Sequence, residues 1–208
     1  MSEHQVEPVE KETGRVEAFS DGVFAIAITL LILEIKVPHE AGHELWRRLL
    51  DQWPSYFAFV TSFATIGIMW INHHRMFTLI HRVDPMLMIL NGVLMLGMTF
   101  VPYPTAVVAE YLGHDGSTAA AVFLAITYIL IAIAFNLLWR YAASAQRKPR
   151  LLRFPPDDPA VVAITRSYRL GPLFYLATLL VAFWDARVSV GLNLALAVYW
   201  AIPPRAEG

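Results

Sequence analysis

Arg15-Val16-Glu17-Ala18-Phe19-Ser20-Asp21-Gly22 opens a stretch that continues as Val23-Phe24-Ala25-Ile26-Ala27-Ile28-Thr29-Leu30-Leu31-Ile32-Leu33. A short charged head leads into an apolar run, and the whole stretch to Val37 is close to the roughly 20 residues needed to cross a bilayer. The run is too long for the apolar part of a signal peptide, and no small-residue cleavage site follows it. It reads as a retained membrane span from Arg15 to Val37.

Five more apolar runs follow: Trp53 to Phe77, Pro85 to Val107, Thr118 to Tyr141, Leu170 to Trp184 and Val188 to Ile202. The composition agrees, with 57% hydrophobic and 16% charged residues in 208, where a soluble domain carries about 25% charged. A chain this short has too little interior to hide that much apolar surface in water. The expected fold is an all-α integral membrane protein of six transmembrane helices. The fifth run is short, but Asp158-Pro159 is a helix-start signal, so a lead-in helix is expected to bend into the membrane near Gly171-Pro172.

Placing the N-terminus inside leaves only Lys36, Arg47, Arg48 and Arg187, of 16 Lys and Arg, on the outer side. That bias predicts cytoplasmic N- and C-termini. The expected organisation is a disordered, polar tail (1–14), a six-helix transmembrane domain (15–203) and a C-terminal tail (204–208). Leu45, Trp46, Leu49, Leu50 and Trp53 share one face, as in a short interfacial helix. The linker Ser144 to Asp158 is basic and proline-rich, with affinity for anionic lipid heads expected. The chain has no cysteine, which excludes disulfides and thiolate metal sites. No phosphate-cradling glycine loop or nucleic-acid motif is present, so neither a nucleotide nor a nucleic-acid partner is expected.

Polar residues at depth carry the functional information, because lipid offers them no partners. Asp21 lies about 9 Å along the helix from Arg15. Span two runs the other way and ends in Trp70-Ile71-Asn72-His73-His74-Arg75. Span three brings Asn91 to a comparable depth, and span four brings Asn136 and Arg140. A hydrogen-bonded layer joining Asp21 and Ser20 to Trp70, Asn72, His73, Asn91, Asn136 and Arg140 across four spans is one reading. Interfacial anchoring of the same residues is the other. Adjacent His73 and His74 point about 100° apart on a helix and are poorly placed to share a metal. Beyond Asp21, Ile26, Leu30 and Leu33 form a stripe at i, i+4, i+7, with Thr29 the only hydroxyl in the middle of the span. Periodicity alone leaves that stripe open between pore lining, packing and lipid contact.

The string Arg15-x-x-x-Phe19-Ser20-Asp21-Gly22 at the head of the first of six spans resembles the signature of the transmembrane protein 175 family. These are potassium-permeable channels of bacteria, archaea and animal lysosomes. The Trp70, Asn72 and His73 cluster supports the resemblance. Members with one motif copy assemble as homotetramers, so the resemblance implies four subunits in the cell (inner) membrane, not an enzyme, with no cofactor beyond permeant K+. It implies that the first span lines the pore, with the narrowest hydrophobic ring at Ile26, further rings at Leu30 and Leu33, and the hydroxyl layer at Thr29. Arg15, Phe19, Ser20 and Asp21 are then structural, bonded to the span-two cluster. A competing expectation is a proton-coupled transporter titrating at Asp21 and His73 or His74. An unbroken midplane in span one and the lack of a repeat weigh against it.

Overall fold

The computed structural model describes residues 8–38, 42–146 and 150–202, with side chains from Thr13 onward. Residues 1–7, residues 39–41 of the loop after the first span, 147–149 of the linker, and 203 with the tail 204–208 lie outside them.

The first span is α1 (Pro8–Leu30), continued by a 3-10 turn over Leu31–Glu34. Its helix therefore begins at Pro8 and not at Arg15. The described part of the expected disordered tail, Pro8 to Gly14, is helical and continuous with the span. A 3-10 turn (Gly42–Glu44) leads into α2 (Leu45–Asp51), a seven-residue helix with Leu45, Trp46 and Leu50 exposed. That apolar face suits the membrane surface. The long helix α3 (Trp53–Leu79) crosses next.

Helix α4 (Pro85–Phe100) starts where Asp84 accepts the Leu87 N–H at 2.8 Å with Pro85 in the first turn, a carboxylate cap with a residue that needs no amide partner there. Val101 stays helical, and α5 (Pro102–Tyr111) follows without a loop. Pro102 and Pro104 lack the N–H groups that would bond back to Met98 and Phe100, so the helix bends at this joint. The tight turn after α5 uses Gly113 and Gly116, both at φ +97°, a region that disfavours side chains. Helix α6 (Ser117–Ala142) returns.

Asp158 caps α7 (Pro159–Arg169) through the Ala160 N–H at 2.9 Å. The chain breaks register at Leu170 and resumes as α8 (Gly171–Ala182), so the helix start at Asp158-Pro159 and the bend at Gly171-Pro172 both exist. Asp185 caps the last helix, α9 (Ala186–Ala201), through Arg187 and Val188.

Four helices among the described residues are long and apolar enough to cross a membrane: Thr13–Glu34, Trp53–Leu79, Pro85–Tyr111 and Ser117–Ala142. Helices α8 and α9, with 12 and 16 residues, reach about 18 and 24 Å at 1.5 Å per residue. They fall short of the length that six equal spans would require.

Helix α6 packs on α4, α5, α7, α8 and α9, while α3 packs on α1, α5 and α9. The core around α6 is filled by Leu124, Tyr128, Leu138 and Trp139, all essentially inaccessible. Gly97 of α4 sits so close to α6 that a Cβ there would lie 2.9 Å from Ile131 Cγ1. That approach relies on a small residue, as membrane helix contacts often do. Helix α1 touches only one side of this bundle, through α3, α4 and α5.

Candidate pore helix and its inner anchor

The way α1 meets α3 and α4 follows from where its polar head falls. Ser20 is fully buried, and its hydroxyl donates to Val16 O at 2.9 Å. Its oxygen is thus free to accept Asn91 Nδ2 at 2.8 Å. Asn91 Oδ1 then faces His73 Nε2 at 2.9 Å, which assigns the proton to Nε2. The His73 ring lies against Phe77 at 4.4 Å and Phe24 at 5.4 Å between centroids, with Phe135 edge-on. Its Nδ1 is enclosed without a hydrogen-bond partner, as suits the unprotonated nitrogen of that tautomer. Three helices are tied by one directed chain, His73 to Asn91 to Ser20.

A second tie runs along the rim of the α1–α3 contact. Trp70 Nε1 donates to Asp21 Oδ1 at 2.9 Å, and His74 Nδ1 meets Glu17 Oε1 at 2.7 Å. Trp70 and His74 stack at 6.5 Å. Glu17 and Asp21 are one turn apart on α1, and Trp70 and His74 are one turn apart on α3, so the pairs form two rungs. Sequence reasoning missed Glu17, although its i, i+4 relation to Asp21 matched that of Trp70 to His74. The two histidines diverge: His73 turns into the core and His74 outward to Glu17. No group of three His, Cys, Asp or Glu able to hold a metal occurs among the described residues.

Three expected members of the anchor lie elsewhere. Arg15 is exposed and makes no hydrogen bond or ion pair among the described residues. Phe19 is 64% exposed and lies on the outward face of α1, not against span two. Asn72 points away from α1: its Nδ2 donates to Ile68 O at 3.0 Å and reaches Trp200 O of α9. Tyr168 O–H donates to Asn72 O, and Asn136 Nδ2 donates to Tyr168 O, each at 2.8 Å. Asn72 and Asn136 therefore belong to a separate polar cluster among α3, α6, α7 and α9, around a small cavity also lined by Trp200 and Tyr175. Polar depth was readable in the sequence, but the face of α3 on which Asn72 sits was decided by the packing of α9.

The stripe downstream of the anchor is fully outward. Ile26 is 58% exposed, Leu30 40% and Leu33 62%, while Phe24, Ala27 and Leu31 on the opposite face are at 0–1%. Thr29 is exposed, and its hydroxyl donates to Ile26 O at 2.9 Å, so its oxygen can still accept. Val23 is partly buried against the core; it is not the lipid-side position that its apolar character suggests.

Loss of a rim tie is expected to loosen α1 without touching the outward stripe. Trp70→Phe removes the N–H that Asp21 accepts, a net loss of about 0.5–1.5 kcal/mol. The purified variant should unfold at a lower temperature than the parent, and parental thermal stability would mean that the Trp70–Asp21 tie does not hold α1 in place.

This arrangement defines a multi-pass membrane protein whose first helix is held towards its N-terminal end by buried and rim hydrogen bonds and bares one apolar, hydroxyl-bearing face. The sequence pattern of the family described as "Endosomal/lysosomal potassium channel TMEM175" matches residues 15–102. A protein named as a potassium channel from Chamaesiphon minutus is 51% identical over 198 residues, covering 94% of this chain and 96% of that one. Another so named, from Streptomyces collinus, is 47% identical over 191 residues and 91% of each chain. The crystal structure of a lysosomal potassium-selective channel TMEM175 homolog from Chamaesiphon minutus superposes with a TM-score of 0.83 at 49% identity, over 92% of this chain and 97% of that one. The chain belongs to the TMEM175 family.

Proposed function

We propose that this protein is a potassium-permeable cation channel of the cell (inner) membrane, in which four subunits surround a pore lined by α1. The potassium-channel relatives cover nearly its whole length. The observation that carries the reading is the two-faced character of α1. One face, Ser20, Phe24, Ala27 and Leu31, is buried against the bundle, and the other, Ile26, Thr29, Leu30 and Leu33, is left exposed among the described residues of the subunit. Exposure of this kind is shared with lipid-facing residues such as Leu96. What distinguishes α1 is that it lies at the edge of the bundle, held by polar ties at its inner end, with a hydroxyl on the bared face.

In the assembled channel Ile26 forms the narrowest apolar ring, with Leu30 and Leu33 one and two turns further out. Such a hydrophobic gate closes by dewetting and conducts when a small widening restores a water column. Thr29 supplies a layer of oxygen ligands beside it. No carbonyl-lined filter sequence of the Thr-Val-Gly-Tyr-Gly kind occurs in the chain. Modest preference for potassium then follows from its looser hydration. Ser20 and Asp21 hold the helix angle and do not touch the ion. Phe19 extends the bared face inward, and Arg15 sits at the inner mouth.

Six membrane crossings with both ends inside complete the topology, with α7 a cytoplasmic lead-in to the short crossing α8 and with α9 returning the chain. Lys and Arg placement supports this orientation. The transporter reading is weaker in this geometry, because His73 is sealed among aromatic rings with its one hydrogen bond spent on Asn91.

Cysteine crosslinking tests the arrangement in this cysteine-free chain. Ile26→Cys is expected to form disulfide-linked dimers between subunits on mild oxidation. Ala27→Cys, one residue on but buried against the core, should not. Equal crosslinking at both positions, or none at Ile26, would remove α1 from a central axis.

A further inference from the structure

The linker between α6 and α7 is pinned to the turn that follows α3, and that turn bonds to the base of α1. Leu151 and Leu152 are buried, and Leu152 pairs with Ile80 in a short antiparallel bridge. Leu151 O accepts the backbone N–H of His81 at 2.7 Å and of Arg82 at 3.1 Å, and Arg153 N–H donates to Leu79 O at 2.9 Å. The same His81 offers its carbonyl to the Thr13 hydroxyl of α1 at 3.3 Å. A cleft shared by all three segments is lined by Thr13, Glu17, Thr78, His81 and Arg153. A displacement of the linker therefore reaches the inner end of α1 through two successive hydrogen bonds.

The same stretch carries a strong charge bias. From position 140 to 169 the sequence has seven Lys and Arg against Asp157 and Asp158. Asp158 is engaged in capping α7. Arg140, Arg150 and Arg169 are exposed. The depth is also defined: Arg169 immediately precedes the outward, apolar Leu170 and Leu173, and Phe154 stands exposed beside Arg153. Helix α7 turns Val161, Ile164 and Tyr168 to the bundle and Arg166 and Arg169 away from it. Basic and aromatic residues at the point where an apolar surface begins match the head-group layer of a bilayer.

We propose that the exposed basic residues Arg140, Arg150 and Arg169 around the α6–α7 linker form a docking surface for anionic phospholipid head groups of the inner leaflet, and that the Leu151–His81–Thr13 clamp transmits their occupancy to the base of α1. The inference rests on the inward orientation proposed above.

The test reconstitutes the full chain in phosphatidylcholine vesicles into which phosphatidylglycerol is titrated. Thermal unfolding reports docking. An environment-sensitive fluorophore on Phe19→Cys reports α1, and potassium flux reports the channel. Phosphatidylglycerol is expected to raise the unfolding temperature and shift the fluorophore spectrum. Arg150→Gln with Arg169→Gln should move the lipid midpoint on the order of tenfold upward, since each basic residue near an anionic surface contributes separately. Thr13→Val should keep the thermal response and lose the spectral one. An unfolding temperature indifferent to phosphatidylglycerol, an unchanged midpoint in the double variant, or an equal response to inorganic phosphate in phosphatidylcholine vesicles would overturn the docking surface. A full spectral response in Thr13→Val would overturn the clamp. Absence of flux in every vesicle would count against the channel reading alone, because the thermal and spectral arms do not depend on conduction.

Discussion

Ile26→Asn is expected to raise potassium current by about tenfold and to move the bi-ionic potassium–sodium reversal potential toward zero. The parent side chain is 58% exposed on the bared face of α1, and in a four-fold assembly it would present only methyl and methylene groups to the axis. Water leaves such a neck because it loses hydrogen bonds there. Four amides restore those bonds, and a barrier lowered by about 1.4 kcal/mol multiplies the rate tenfold. Discrimination falls because ions then pass with more of their hydration intact. Thr29→Ala is expected to behave differently. It removes an exposed oxygen whose hydrogen is committed to Ile26 O, so potassium preference should fall with no added leak. If Ile26 faced lipid, the amide would sit in hydrocarbon and the variant would express poorly with no leak. Bilayer recordings of both variants beside the parent separate these outcomes, and unchanged current and selectivity in both would remove the stripe from the ion path.

The second large effect belongs to Asn91. It is 2% exposed and makes both side-chain bonds that join α1, α3 and α4, at 2.9 Å to His73 and 2.8 Å to Ser20. Asn91→Leu keeps the branched shape but strands the ring N–H of His73 in a pocket of aromatic rings, and a buried donor without a partner costs about 1–3 kcal/mol. With the lost bond to Ser20, the total is about 2–4 kcal/mol, at the upper end of what most single substitutions cost. The purified variant should unfold well below the parent and yield little assembled protein. Ser20→Ala should fall between the two, because it removes one acceptor and leaves the His73–Asn91 bond in place. Parental thermal stability for Asn91→Leu would mean that the network does not hold the helices.

Much of this architecture was legible without coordinates. Long apolar runs define spans because a bilayer demands internally bonded backbone over a fixed thickness. The helix start at Asp158-Pro159 was readable because a carboxylate cap and a proline act within one turn. The Ser20-Asp21 head of the first span, with polar residues at matching depth on spans two and three, located the anchor. The outward stripe at Ile26, Leu30 and Leu33 followed from helical spacing once the family resemblance had selected a face.

Depth along a helix is set by sequence position alone, so the sequence determined the layer in which Asn72, His73 and Asn91 lie. Direction around a helix is set by what packs beside it, and tertiary structure alone decided that. Asn72 and His73 are neighbours about 100° apart, and α9 claimed one while α4 claimed the other. For the same reason Phe19 turned outward while Ser20 was buried, Val23 packed on the core, and Glu17 joined the rim beside Asp21. The pinning of Leu151 to the turn that follows α3 was equally out of reach, because a backbone hydrogen bond between segments some 70 residues apart leaves no mark on either stretch of side chains.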